Sequence, residues 1–167
     1  MKIKLEKILD HTAIEHKIRR IAFQIYESNA DEKEVVLAGI ADNGYKFAER
    51  LSQVLIDIAP FKTILCKVTM DKQKPLGTVK TSLLPKEYTN KSIVLIDDVL
   101  NSGTTLVYGV KHFLDVPLKR FKTAVLVNRN HKKYPVKADF KGISLSTSLN
   151  ESVKVIFTKG NDTVVLE

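Results

Sequence analysis

This chain of 167 residues contains a single cysteine, Cys66. One thiol can close no intrachain disulfide and build no cysteine-based zinc site. Cys66 lies among Ile64, Leu65 and Val68, which reads as a buried, inert side chain. Long apolar runs are missing as well: no uninterrupted apolar stretch is long enough to span a bilayer. The opening Met-Lys-Ile-Lys-Leu-Glu-Lys lacks the apolar centre of a signal peptide, so a cytoplasmic location without a membrane partner is expected. No Ser-His-Asp or Cys-His constellation, internal repeat or low-complexity tract stands out. Acidic residues are in deficit, with 19 Asp+Glu against 27 Lys+Arg and a net charge of +8. That excess suits an anionic ligand or partner, a polyphosphate or RNA, without choosing between them.

What is present fits one α/β domain. A chain of this size buries roughly 70% of its unfolded surface. Apolar periodicity at Ile14, Ile18, Ile21 and Ile25 predicts a helix to about Ser28, capped by Asp10 or Thr12. Glu34–Ile40 is expected as a buried strand. The polar turn Ala41-Asp42-Asn43 then leads to a helix opened by Gly44 and stopped by Pro60. A strand is expected at about 63–69, another at 122–128, and two short ones at 153–157 and 163–166. Buried strands alternating with helices imply a mainly parallel sheet. Residues 71–91 are Lys-rich, with Pro75, Gly77 and Pro85 and little periodicity; so long an irregular segment is usually functional or mobile.

Residues 92–106 are the most informative: Ser-Ile-Val-Leu-Ile-Asp-Asp-Val-Leu-Asn-Ser-Gly-Thr-Thr-Leu. Ile93–Ile96 reads as a strand buried on both faces. It ends in Asp97 and Asp98, followed by a loop of small polar residues and a helix from Leu106 to near Asp115–Pro117. The loop N–H groups and hydroxyls can wrap a phosphate, aided by the helix N-terminus. The carboxylates can accept hydrogen bonds from sugar hydroxyls or help hold Mg²⁺ with its waters. No Gly-Lys-Ser/Thr and no Gly-x-Gly-x-x-Gly occurs in this segment, which excludes a Walker loop and a dinucleotide fingerprint there. Ligands in such sheets bind at the carboxyl ends of strands, where the turn after Ile40, this loop and the turn after Val127 converge.

Four apolar residues, two acids, two apolar residues and a loop containing Ser-Gly-Thr-Thr resemble the phosphoribosyl-pyrophosphate signature of the type I phosphoribosyltransferases. Further pieces resemble one branch, the bacterial pyrimidine-operon attenuation regulators that are also uracil phosphoribosyltransferases. These are Ile8-Leu9-Asp10, Arg20-Ile21-Ala22, Leu37-x-Gly39-Ile40, Ala124 to His131, and Pro135 to Gly142. The resemblance implies a five-stranded parallel sheet flanked by helices in a Rossmann-like arrangement, with a small hood. The core would span about 11–130, the hood about 1–9 and 130–167, and a flexible lid about 71–90. It implies Mg²⁺ as cofactor, phosphoribosyl pyrophosphate and a nucleobase or nucleoside monophosphate as ligands, a homodimer or higher homo-oligomer, and RNA as a further partner. Carried onto this chain, Asp97 and Asp98 hold the ribose hydroxyls with Mg²⁺ nearby. Asn101, Ser102, Gly103, Thr104 and Thr105 cradle the 5′-phosphate. Ala41, Asp42, Asn43 and Gly44 form the pyrophosphate loop, which in this family often contains a cis peptide. Asn128 and Arg129 face the base, and Lys72 and Lys74 approach the pyrophosphate from the lid. Uracil is the favoured base. A nucleotide-sensing RNA-binding regulator with little catalysis, or a 6-oxopurine enzyme, is the alternative.

The chain departs from that branch in named places. Asp42-Asn43 stands where the branch carries Thr-Arg before the glycine, and Met70-Asp71-Lys72-Gln73 where its lid begins aromatic-Arg-Asp-Asp. Lysine does not reproduce arginine's planar fork. Asn128 replaces the usual Asp of the regulators and Lys of the 6-oxopurine enzymes. Asn101 stands where the latter carry an Asp that handles a purine proton, which Asn cannot take up.

Overall fold

The computed structural model describes residues 4–167, so the first three residues of the expected hood segment lie outside them. In chain order the elements are β1 (Glu6–Leu9), α1 (His11–Ser28), β2 (Glu34–Ile40), α2 (Asn43–Ile58), β3 (Lys62–Thr69), β4 (Lys80–Thr81), α3 (Pro85–Tyr88), β5 (Ser92–Leu100), α4 (Thr104–Phe113), β6 (Arg120–Asn128), β7 (Phe140–Ser144), β8 (Val153–Ile156) and β9 (Thr163–Leu166). Asp10 caps α1, its side chain accepting from the Ala13 N–H at 2.8 Å.

The main sheet has six strands in the order β4-β3-β2-β5-β6-β7. Five are parallel, as expected; the sixth, β4, is a two-residue strand antiparallel to β3 at the edge. It arises because the 71–91 segment folds back, pairing Thr69 with Lys80. The strand β7 was not expected: the resemblance assigns 130–167 to the hood, yet Phe140–Ser144 joins the main sheet. A separate antiparallel sheet, β1-β9-β8, forms the hood.

Alternation along the central strands fills both faces. Val35 and Leu37 of β2 with Val94 and Ile96 of β5 pack toward α1, α2 and the hood. Val36, Ala38 and Ile40 with Ile93 and Leu95 pack with Leu106 and Phe113 of α4 and with Tyr88 of α3. Both faces being apolar is what a parallel sheet covered by helices requires. The hood adds Val155 and Val164 to the first cluster. It is pinned further by the buried Asp162, whose carboxylate meets the Arg50 guanidinium of α2 at 2.6 Å and the His11 ring of α1 at 3.2 Å. In the expected lid, β4 and α3 give residues 80–88 regular structure, and buried Tyr88 anchors them; 71–79 stays irregular.

Candidate active site

β5 runs further than its apolar core suggests. It continues through Leu100, so Asp97 and Asp98 are strand residues at the carboxyl end, not loop residues. Strand alternation sends them to opposite faces. Asp98 turns toward α2 and accepts from the Asn43 amide at 3.1 Å. Asp97 turns toward the lid, 3.7 Å from the Lys72 ammonium. Asp97 is only 4% exposed. Burial first, and then the charge of Asp98, hold its carboxyl well above the usual carboxylate range; Lys72 opposes both.

The loop after β5 is shaped by Gly103. Its φ of 88° is left-handed, and a Cβ there would lie 2.6 Å from the Val136 side chain. Helix α4 starts at Thr104, two residues before the expected Leu106, because Gly103 already serves as its cap. Ser102 and Thr104 hydroxyls meet at 2.8 Å. The loop is backed by the next segment, Lys133 N–H donating to the Ser102 carbonyl at 2.7 Å. The Thr105 and Leu106 N–H groups stand at the helix N-terminus without intrahelical partners, an anion-binding arrangement.

The turn after β2 completes the edge. The Ala41–Asp42 peptide is cis. Gly44 is required by packing: a Cβ would lie 2.7 Å from the Ile96 carbonyl oxygen and 3.0 Å from the Asp97 Cα. This contact seats the N-terminus of α2 directly against the carboxylate pair. Asp42 is exposed, makes no side-chain cap and does not line the cleft.

A cleft of about 230 Å³ brings together Asp97, Asp98, Asn101 to Thr105, Asn43 and Lys72. Among the described residues it is not lined by Ala41, Asp42, Gly44, Lys74, Asn128 or Arg129. Lys74 is exposed in a turn folded around Asp71, whose carboxylate accepts from the Gln73 N–H at 2.9 Å. Asn128 is buried and bonded to Asn130, donating to its Oδ1 at 3.1 Å and accepting from its N–H at 3.2 Å. Arg129 donates to Thr147, Ser148 and Glu151 and to Asn101, and does not itself line the cleft. Sequence reasoning missed the hood wall, where Ser152, Val153, Lys154, Val155 and Glu167 line the cleft and Lys154 pairs with Glu167 at 2.7 Å. Nothing local in that terminal segment announces it.

The described residues contain no group of three or more His, Cys, Asp or Glu placed to hold a metal. The two carboxylates are hard oxygen donors, and the buried one lacks a full counter-charge. That set fits a Mg²⁺ ion that keeps waters and takes its remaining ligands from a phosphorylated substrate, not an all-protein cage.

The phosphoribosyl transferase domain family matches residues 4–156. The Bifunctional protein PyrR of Limosilactobacillus reuteri is 33% identical over 175 residues, covering 96% of this chain and 97% of its own. That of Fusobacterium nucleatum is 32% identical over 177 residues, covering 99% of each. Among solved structures, the hypoxanthine phosphoribosyltransferase of Trypanosoma cruzi superposes with a TM-score of 0.74 at 16% identity, covering 89% of this chain and 84% of that one. A hypoxanthine-guanine phosphoribosyltransferase of Bacillus anthracis gives 0.70 at 20% identity, covering 87% and 85%. At such identities the structural likeness speaks for the fold alone.

Proposed function

Because this chain belongs to the phosphoribosyltransferase family, we propose that it transfers the 5-phosphoribosyl group of phosphoribosyl pyrophosphate to a nucleobase, uracil being favoured, with release of pyrophosphate. The observation that carries this is the shared cleft: a carboxylate pair at the sheet's carboxyl edge, beside a Ser/Gly/Thr loop that opens a helix N-terminus. The 5′-phosphate sits in residues 101–105, taking backbone N–H groups and hydroxyls. Asp97 and Asp98 accept from the ribose hydroxyls. The pyrophosphate lies toward the N-terminus of α2 and Lys72.

Displacement at the ribose C1 breaks its bond to the pyrophosphate oxygen, which leaves with the electron pair, as the base nitrogen bonds to C1 and releases its proton. Positive charge builds on the ring and negative charge on the leaving group. The chain's part is positioning and electrostatics: carboxylates beside the ring, an ammonium and helix N–H groups beside the pyrophosphate. Mg²⁺, when bound near Asp97 and Asp98, supplies further charge neutralisation of the pyrophosphate. Irregular residues 71–79 bring Lys72 over the cleft and exclude water on closing. Pyrophosphate release measured with Mg²⁺ and a panel of uracil, hypoxanthine, guanine, xanthine and adenine tests the reading. Release with uracil is expected; release with a purine alone replaces uracil by that purine.

A second reading, RNA binding by a nucleotide-sensing regulator, draws on the basic surface. Arg20 is not free for it, since its guanidinium donates to the Lys141 and Gly142 carbonyls at 2.9 and 2.6 Å and ties α1 to β7. Exposed Arg19, Lys132 and Lys133 remain. RNA affinity that falls steeply with salt and weakens in Arg19→Ala/Lys133→Ala supports this role; unchanged affinity removes it.

A further inference from the structure

Two polar side chains grip the hood backbone at different points, and each also holds a side chain of the sugar-phosphate site. Asn43, the first residue of α2, donates to Asp98 Oδ2 at 3.1 Å and to the Val155 carbonyl of β8 at 2.8 Å. Arg129, just past β6, donates through Nε to Thr147 Oγ1 at 2.8 Å. Its terminal nitrogens donate to the Ser148 carbonyl at 3.1 Å, to the Glu151 carbonyl and to Asn101 Oδ1 at 3.4 Å. Residues 145–152 are the connection from β7 of the main sheet to β8 of the hood. One grip therefore joins Asp98 to the hood strand, and the other joins Asn101 to the segment that leads into it.

An amide nitrogen has two hydrogens, and both of Asn43's are committed, which leaves only its carbonyl oxygen, a poor partner for pyrophosphate. Four of the five N–H donors of Arg129 are likewise taken by acceptors of the protein itself. Neither side chain is free for the ligand contact that its place in the chain suggested, and both make the same kind of link instead. The apolar packing of Val155 and Val164 and the Asp162 ion pairs attach the hood, but apolar contact is not directional. Arg50 and His11 hold Asp162 by further hydrogen bonds, but among the described residues the side chains that link a residue of the sugar-phosphate site to the hood or its connection are Asn43 and Arg129.

We infer that Asn43 and Arg129 are positioning residues that couple occupation of Asp98 and Asn101 to the stance of the hood, and through it to the wall that a base would face. The inference rests on the phosphoribosyl reading for the identity of the ligand; the links themselves belong to the chain. A ligand that draws Asp98 or Asn101 toward itself moves the partner of each grip, and the hood follows.

Hydrogen exchange by mass spectrometry on the full chain, with and without phosphoribosyl pyrophosphate and Mg²⁺, tests it in wild type, Asn43→Ala, Arg129→Met and the double variant. Because Asp162 and the apolar contacts remain, the variants keep the hood attached. Basal exchange across 145–156 is expected to rise about tenfold in Asn43→Ala, the order of its one lost bond to the hood, and at least as much in Arg129→Met, which loses three, with α1 and β2 unchanged. Ligand should protect both 97–105 and 145–156 in wild type, but only 97–105 in the double variant. In steady-state assays KM for the base should rise about tenfold while kcat at saturation changes less than KM, marking lost positioning rather than lost chemistry. Arg129→Lys, which keeps the charge but not the fork, should behave like Arg129→Met. Unchanged basal exchange at 145–156, or hood protection that persists in a double variant that binds ligand, overturns the inference. Should wild type bind no phosphoribosyl pyrophosphate, the phosphoribosyl reading fails, and the basal exchange alone decides whether the grips exist.

Discussion

The end of the cleft proposed for the sugar and phosphate comes from one continuous stretch, the end of β5, the Gly103 loop and the start of α4. The wall opposite is assembled from pieces far apart in the chain: Asn43 from α2, Lys72 from the segment after β3, Ser152, Val153 to Val155 of β8, and Glu167. The first end is stiff, because strand, loop and helix share the main core and Gly44 seats α2 against it. The second hangs on a small sheet that lends Val155 and Val164 to that core and is tied on by a few polar links. A contiguous site fixes the charge chemistry, while a composite one can be retuned by single residues, as the Asp42-Asn43 and Met70–Gln73 departures illustrate.

The largest effect should come from the stiff end. Asp97→Asn with Asp98→Asn is expected to lower kcat/KM for pyrophosphate release by at least ~10²-fold, with the fold retained by circular dichroism. Unchanged activity would break the contrast. Next, Gly44→Ala forces a Cβ against the β5 backbone, an overpacking worth about 1–3 kcal/mol. In a chain of this size that is roughly 2–4 °C of Tm per kcal/mol. Gly103→Ala adds left-handed strain of about 1–2 kcal/mol and a clash with Val136. Calorimetry should show both drops, with phosphate affinity falling alongside in Gly103→Ala.

At the composite end, Lys72→Met should raise KM for phosphoribosyl pyrophosphate roughly tenfold, about 1.4 kcal/mol, with little change in Tm. A kcat loss equal to that of the carboxylate variant would place Lys72 in the rigid machinery instead.

The smallest effect is a pH dependence of stability. Asp97's carboxyl is held above its unfolded value by burial and by Asp98. The folded chain therefore binds the proton more tightly than the unfolded chain, and stability falls as pH rises from the unfolded value near ~3.9 toward the raised folded one. Asp97→Asn removes that cost. Its Tm should exceed the wild type's at pH 7–8 by a few degrees, about 2–4 °C per kcal/mol recovered, and the gap should close near pH 4. A gap that widens on acidification would contradict the cause given for the shift.

The same contrast explains what was legible in the sequence. The parallel strands announced themselves as apolar runs, and the phosphate loop as small residues between strand and helix. The extent of β5 was misjudged because two aspartates look like the end of a strand; they stay in it because β6 pairs alongside as far as Leu100 and Asn128. The strand β7 escaped notice because it is short, half-exposed and interrupted by Gly142, where a Cβ would meet the Leu126 carbonyl oxygen at 2.5 Å. β4 has only two residues and no pattern to detect. The resemblance assigns Asn128 and Arg129 to the base, a role that no local pattern signals. Their partners, Asn130 and residues 147–151, are set by how the turn and the hood connection fold back.

The most direct measurement is a crystal structure with phosphoribosyl pyrophosphate and Mg²⁺ bound. The account predicts the 5′-phosphate within hydrogen-bond distance of N–H groups and hydroxyls of residues 102–105, and the ribose hydroxyls on Asp97 and Asp98. A phosphate bound elsewhere, with both carboxylates free of the sugar, would contradict it.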